Sequence, residues 1–349
     1  MRANLVFLFL GFAQLTFGPG LNAQISQAYV SLPLQGEPRT TQIPPFSTLA
    51  MPQCDGSGEM YLSYSSPAAS SANPTLVSVD SDGSTRTVDL QAAGQAQRDR
   101  HLFLFSAAND GSLHEIIRAP TSSDRNQPSN DIEYTTYDSD GSLRSETGFD
   151  QEFIPSLLVP LPDGSFFASG VTLKDEKNGV SESALVGIFN SDAKLVRHLQ
   201  KDSGKSPGTA SESDISQESA TAFDGGIAKL GGDRNVYVLL LSEQAKIAVV
   251  NQSGVIVREI DLQEPFETDV AHDMWISGNR ILVVYEGEAD SPKDAYVYVL
   301  YDAQSGSVIR VYRPEFSGTV ACFQDGQTLR VLLQEPSSGK ISLGTAELQ

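Results

Sequence analysis

Apolar and polar positions alternate along this chain in short runs, and the runs come in pairs. Leu76-Val77-Ser78-Val79 and Thr85-Arg86-Thr87-Val88 flank the turn residues Asp80-Ser81-Asp82-Gly83. A period of two marks a half-buried strand, and Asp-Gly between two such runs supplies the positive φ of a tight hairpin. The arrangement recurs around Asp138-Ser139-Asp140-Gly141, Asn190-Ser191-Asp192-Ala193, Asn251-Gln252-Ser253-Gly254 and Asp302-Ala303-Gln304-Ser305-Gly306. The leading Asp or Asn, at positions 80, 138, 190, 251 and 302, advances by 51 to 61 residues each time.

A second hairpin precedes each of these. Met60-Tyr61-Leu62 follows Asp55-Gly56-Ser57-Gly58, Phe166-Phe167-Ala168 follows Asp163-Gly164, and Val236-Tyr237-Val238 follows Gly231-Gly232-Asp233. Leu329-Arg330-Val331 follows Asp325-Gly326 in a sixth unit. Six units of four short strands, each roughly 50 residues long, predict an all-β chain folded as a six-bladed β-propeller. A sandwich also has many short strands, but two hairpins repeated in fixed order argue against it. No helical period follows the first residues, which removes the α/β classes.

The sixth unit runs out of chain after its third strand, near residues 341–348. Pro38-Arg39-Thr40-Thr41-Gln42-Ile43 resembles the outer strand at 84–88, so an N-terminal strand is expected to complete the last blade and close the ring. Closure leaves no long inner edge open. Cys54 lies four residues before Gly58 and Cys322 four before Gly326. These are matching positions in blades that become neighbours only in a closed ring. A disulfide between them is expected in an exported chain, the alternative being two buried thiols.

Export itself is read from the start of the sequence. Met1-Arg2, an apolar run over 5–17, the breaker Gly18-Pro19-Gly20 and a small residue at Ala23 have the form of a signal peptide over 1–23. The run is short for a bilayer span of roughly 20 residues. Residues 24–349 then form a single propeller domain, secreted or periplasmic, with no membrane span. The net charge of −20 argues against nucleic acid and anionic lipid as partners. The longest interruption, residues 201–220, is rich in Ser, Gly and charge. It is expected as an unpacked decoration, or as a lid, beside one mouth of the channel.

At Gly232-Asp233-Arg234-Asn235-Val236-Tyr237-Val238 and Ala245-Lys246-Ile247-Ala248-Val249-Val250-Asn251-Gln252-Ser253-Gly254 the chain resembles NHL-type repeats. The likeness is weak across the six units and best in the fourth. Where that family has an Asn-Arg pair before the third strand, this chain has Ala245-Lys246. The resemblance implies a six-bladed propeller. Members of that wider group mostly act as binding platforms, and a minority are metal-dependent lactonases and hydrolases.

Candidate chemistry is sparse. Two Asp-Ser-Asp-Gly turns look like the start of a calcium loop, but the twelfth position, which needs a bidentate Glu, is Gln91 in one and Phe149 in the other. Hairpin sterics explain those turns better. Asp269, His272, Asp273 and Trp275 form the densest group of reactive types. Simple alternation places Asp269 and Asp273 on one strand face and His272 on the other. With Asp150 and Asp224 they would ring one mouth of the channel. Such a ring would hold a divalent cation such as calcium, or would be a set of solvated loop acids with no cofactor. There is no Gly-x-Ser-x-Gly, no His-Glu-x-x-His and no P-loop. The reading is a binding or interaction module for a protein, a peptide or a surface polymer. The alternatives are an extracytoplasmic metal-dependent hydrolase or lactonase with a cation in the channel, and a structural module of an envelope assembly.

Overall fold

The alternating runs become strands with two buried faces. In the fourth blade, Val236, Val238 and Leu240 point into a cluster shared with the third blade. Their neighbours Tyr237 and Leu239 point into one shared with the fifth. There are six such clusters, one at each junction between successive sheets, including the sixth-to-first junction. Apolar area buried between sheets, rather than within any one of them, therefore holds the ring together. The computed structural model describes residues 29–43, 45–48, 51–65, 75–90, 101–120, 130–149, 153–176, 179–201, 213–240, 245–264, 270–286 and 296–349. The leader expected over 1–23 lies outside them.

Six antiparallel sheets stand around a central axis as a six-bladed β-propeller. The innermost strands are Gln53–Cys54, His101–Ala107, Phe153–Pro160, Ile227–Leu230, Ala271–Ser277 and Thr319–Gln324. Each contacts the next, and the last contacts the first. The expected closure is present. Arg39–Gln42 pairs antiparallel with the last strand, Lys340–Glu347, in the register Arg39 to Leu343 and Gln42 to Lys340. The Cys54–Cys322 disulfide joins the innermost strands of the first and sixth blades, with Cα atoms 5.4 Å apart. Phe46 fills the apolar cluster at this seam. Buried Arg330 of the sixth blade donates to the carbonyl of Gly58 in the first.

Two features exceed the four-strand unit. Val30–Leu32 adds in parallel to the outer strand of the fifth blade, Val308–Pro314. Gln200–Lys201 adds in parallel to the outer strand of the fourth, Val255–Asp261. The segment expected to be unpacked is partly structured. Residues 202–212 lie outside the described ones, but Ser213–Asp214 pairs with Gln200–Lys201, and Gln217–Thr221 is a helix capped by the Ser216 hydroxyl. Ala220 and Phe223 are buried in the cluster between the third and fourth blades. One turn of helix is too short to leave a 3.6-residue pattern, so the sequence did not display it.

The turns between the first and second and between the third and fourth strands of the blades share one face of the ring, and each blade reaches for its neighbour there. Arg39 donates to the carbonyl of Ser81, Arg86 to Ser139, Thr147 to Asp192 and Arg197 to Ser253. The Gln263 amide donates to Gly306, and the Tyr312 hydroxyl to Gln349. A residue on or just after one blade's outer strand thus binds the next blade's turn or chain end at all six junctions. The approach is close. A Cβ on Gly141 would lie 2.4 Å from the Asp89 carbonyl, and one on Gly306 would lie 2.1 Å from that of Asp261. Glycine is needed there for φ values of +90° and +69° and also for the adjacent blade.

A buried relay crosses the second blade. Ser112 Oγ lies 2.6 Å from Asp110 Oδ1 and 2.9 Å from His114 Nε2, and His114 Nδ1 lies 2.6 Å from the Tyr134 hydroxyl. With the serine hydroxyl donating to the Asp110 carboxylate, the serine oxygen accepts Nε2–H and Nδ1 accepts from the Tyr134 hydroxyl. Every group is satisfied only while the ring is neutral, and burial lowers the His114 pKa to about 4.

Two outcomes follow from the seam and the relay. Replacing Cys54 and Cys322 together by Ser should lower the melting temperature by several degrees, within the roughly 5 kcal/mol that loop entropy allows. An unchanged melting temperature would show that the seam holds without the bond. For His114, the unfolded ring takes a proton below its ordinary value of 6.5 while the folded ring does not until about 4. Stability is therefore complete above pH 6.5 and declines between 6.5 and 4, by about 3 kcal/mol. His114→Gln should flatten this part of the pH profile of urea unfolding.

Candidate channel site

The six innermost strands enclose a central channel of about 470 Å³. Its wall is irregular for a repeated reason. A bulge interrupts the pairing of the innermost strand between Leu102 and Leu104, Pro155 and Leu157, Ala271 and Asp273, and Val320 and Cys322. A bulge opposes two residues to one and re-aims side chains. The extra residues Ser156, His272 and Ala321 all line the channel.

In the fifth blade this overturns simple alternation. The sequence pattern placed His272 and Asp273 on opposite faces, but the bulge at His272 brings both to the channel wall. Asp273 is 5% exposed. Its Oδ1 accepts the Met274 amide at 2.8 Å and lies 3.3 Å from Lys229 Nζ of the fourth blade. The same ammonium sits 5.4 Å from the centroid of the Trp275 ring. A buried carboxylate without a partner would be costly, and the ammonium, itself partly desolvated over an aromatic face, supplies that partner. His272 is exposed at the mouth, with its ring stacked on Tyr296 at 5.2 Å. A recess of about 30 Å³ beside it is bounded by Met51, Asp273, Trp275 and Thr319, among others.

Of the four acids expected to ring the mouth, Asp150 and Asp269 lie outside the described residues. Asp224 is exposed beyond the short helix, where its amide donates to the Thr221 carbonyl, and it does not line the channel. Asp273 lines it but is bound to Lys229. Among the described residues, no three His, Cys, Asp or Glu side chains converge as metal ligands do.

The Asp-Ser-Asp-Gly turns are turns. Asp82 Oδ1 accepts the Ser84 amide at 2.8 Å, and Asp140 Oδ1 accepts the Ser142 amide at 2.9 Å. Hydrogen bonds from Ser84 and Ser142 hold these two carboxyls below their ordinary pKa. Each thus templates its own hairpin.

Lys229 is the channel residue that sequence reasoning missed. It sits in Ile227–Leu230, where a lone Lys among apolar neighbours in an innermost strand was the available signal.

No protein-family model matches the chain. No curated protein matches it. Among solved structures it is similar to a protein of unknown function from Dyadobacter fermentans, with 13% identity over 89% of this chain and 98% of that one, TM-score 0.48. A protein of unknown function from Bacteroides caccae gives 12% identity over 78% and 84%, TM-score 0.45. A luciferin-regenerating enzyme gives 10% identity over 89% and 95%, TM-score 0.43. Likenesses this distant carry no argument about activity.

The ion pair has a measurable signature. Lys229→Met alone should cost a few kcal/mol, because it strands a buried carboxylate, whereas Lys229→Met with Asp273→Asn should cost less than the two single changes added together. Urea unfolding of the four proteins measures this, and strict additivity would mean that the pair is not coupled.

Proposed function

We propose that this chain is an exported propeller that works as a binding module, with the channel mouth as its recognition surface. The observation that carries this reading is the convergence at one opening of groups from the fourth, fifth and sixth blades. Exposed His272 on Tyr296, the Lys229–Asp273 pair over Trp275, and Thr319 meet there. A concave site with a few placed polar groups among aromatic walls is where ligands bind. The apolar leader and the disulfide support an oxidising, extracytoplasmic location. The NHL-like pattern belongs to the same reading, since propellers of that type serve as platforms. The partner is a protein, a peptide or a surface polymer.

A cation-dependent hydrolase has less support, because among the described residues the one acid of the expected set that lines the channel is already bound to an ammonium. The melting temperature should therefore not respond to EDTA or calcium. A rise of several degrees with calcium, abolished by Asp269→Ala with Asp273→Ala, would favour the hydrolase. The platform reading is tested by a photo-reactive amino acid placed at position 272 and, in a second protein, at position 192 on the turn face. Partner-dependent crosslinks at 272 and none at 192 are expected. The reverse pattern would move the recognition surface to the turns.

A further inference from the structure

The channel wall specifies a class of ligand, and this inference rests on the mouth being the recognition surface. Its charged groups are few. Among the described residues that line it, the carboxylates and amines are those of Asp55, Lys229 and Asp273, and the last two cancel. Apart from the His272 imidazole, the remaining polar side chains are hydroxyls and amides: Gln53, Ser106, Asn109, Ser156, Ser277 and Gln324, contributed by five of the six blades. Each of these groups both donates and accepts hydrogen bonds.

The wall therefore suits a ligand that is itself rich in groups of that kind and carries no charge. An anion would enter against a net charge of −20 and would find the one channel lysine already neutralised. A cation would find the buried Asp273 carboxylate already occupied by Lys229, and Asp55 already accepting from the Ser57 and Glu59 amides. A wholly apolar ligand would strip water from six or more polar side chains without replacing the lost bonds.

The mouth adds two features. The ammonium of Lys229 and the carboxylate of Asp273 stand 3.3 Å apart, a donor beside an acceptor. An ammonium has three donors and a carboxylate about four acceptor sites, so the pair retains capacity after bonding to itself. Beside it, the exposed His272 ring, backed by Tyr296, offers a flat face, and the largely buried Trp275 closes the floor beneath the ammonium. Neighbouring hydroxyls on an uncharged ring with an apolar C–H face match both features together. The channel volume of about 470 Å³ lies within the range of small-molecule sites.

We infer that the channel mouth binds an uncharged carbohydrate, with a sugar ring against the exposed face of His272 and its hydroxyls on the Lys229–Asp273 pair. Among the partner classes open to a binding module, this selects a neutral surface polysaccharide or an oligosaccharide derived from one.

The test is calorimetric titration of the full mature chain with cellohexaose, maltohexaose and chitotetraose, and with an oligogalacturonate as the acidic counterpart. Binding of at least one neutral oligosaccharide is expected, with none of the acidic one. His272→Ala, at an exposed position, should weaken that binding at least tenfold, and Lys229→Met with Asp273→Asn should do the same. No binding of any neutral probe at millimolar concentration would overturn the inference. So would binding that both variants leave unchanged, or a preference for the acidic probe. If crosslinking at position 272 traps a protein while no saccharide binds, the carbohydrate inference falls and the platform reading stands. If neither is seen, both fall.

Discussion

A ring of sheets packed face to face has one contact that chain connectivity does not supply, between the last blade and the first. Everything else in this structure depends on that seam. Without it, the apolar faces of the sixth blade and the first would meet water, and the innermost strands would have no common axis. Four different interactions meet there. Arg39–Gln42 completes the sixth sheet by backbone pairing. Phe46 and the strands around it bury apolar surface against Leu332, Ile341 and Leu343. Arg330 places a buried guanidinium on the Gly58 carbonyl. The Cys54–Cys322 bond adds the covalent link. The backbone pairing is the device that builds every blade, and the apolar contact is the one that joins every other junction. The disulfide is particular to the seam and stands where closure has to be enforced; the arginine bond has a part-buried counterpart at the preceding junction, from Arg280 to the Gly326 carbonyl.

The channel is a consequence of this closure. Its wall is made of six innermost strands whose spacing is set by the blades behind them, so a group such as Lys229 can be placed on a carboxylate of the next blade without any loop to guide it. Rigid strands hold the pair, and the bulge at His272 turns the adjacent side chain towards the mouth. The turn face is built differently. There, acids and amides fold back on their own hairpins, and arginines tie one blade to the next. One face of the ring is thus taken up with turns that tie blade to blade, and the opposite end of the channel carries the Lys229–Asp273 pair and exposed His272.

Much of this was legible in the sequence. The hairpins around Asp80, Asp138, Asn190, Asn251 and Asp302 could be read because each turn must satisfy local sterics, which leaves a local signature. Closure by residues 39–42 and the pairing of Cys54 with Cys322 could be read because repeats make equivalent positions visible. The bulges could not be read, since one extra residue in a strand shifts a register without changing composition, and His272 was assigned the wrong face for that reason. The parallel strands at 30–32 and 200–201 and the helix at Gln217–Thr221 were too short to show a period. The Lys229–Asp273 pair joins residues on different blades, so no local pattern could announce it. Sequence periodicity reports which faces are buried; it does not report which side chains meet across a junction.

The central claim is that the N-terminal strand closes the ring as an integral part of the sixth blade. Amide hydrogen exchange of the whole protein tests it most directly. The account predicts that the paired amides of Arg39–Gln42 exchange as slowly as their partners in Lys340–Glu347, through the same global opening. Exchange of 39–42 at the rate of an open terminus, with the sixth-blade strands still protected, would contradict it.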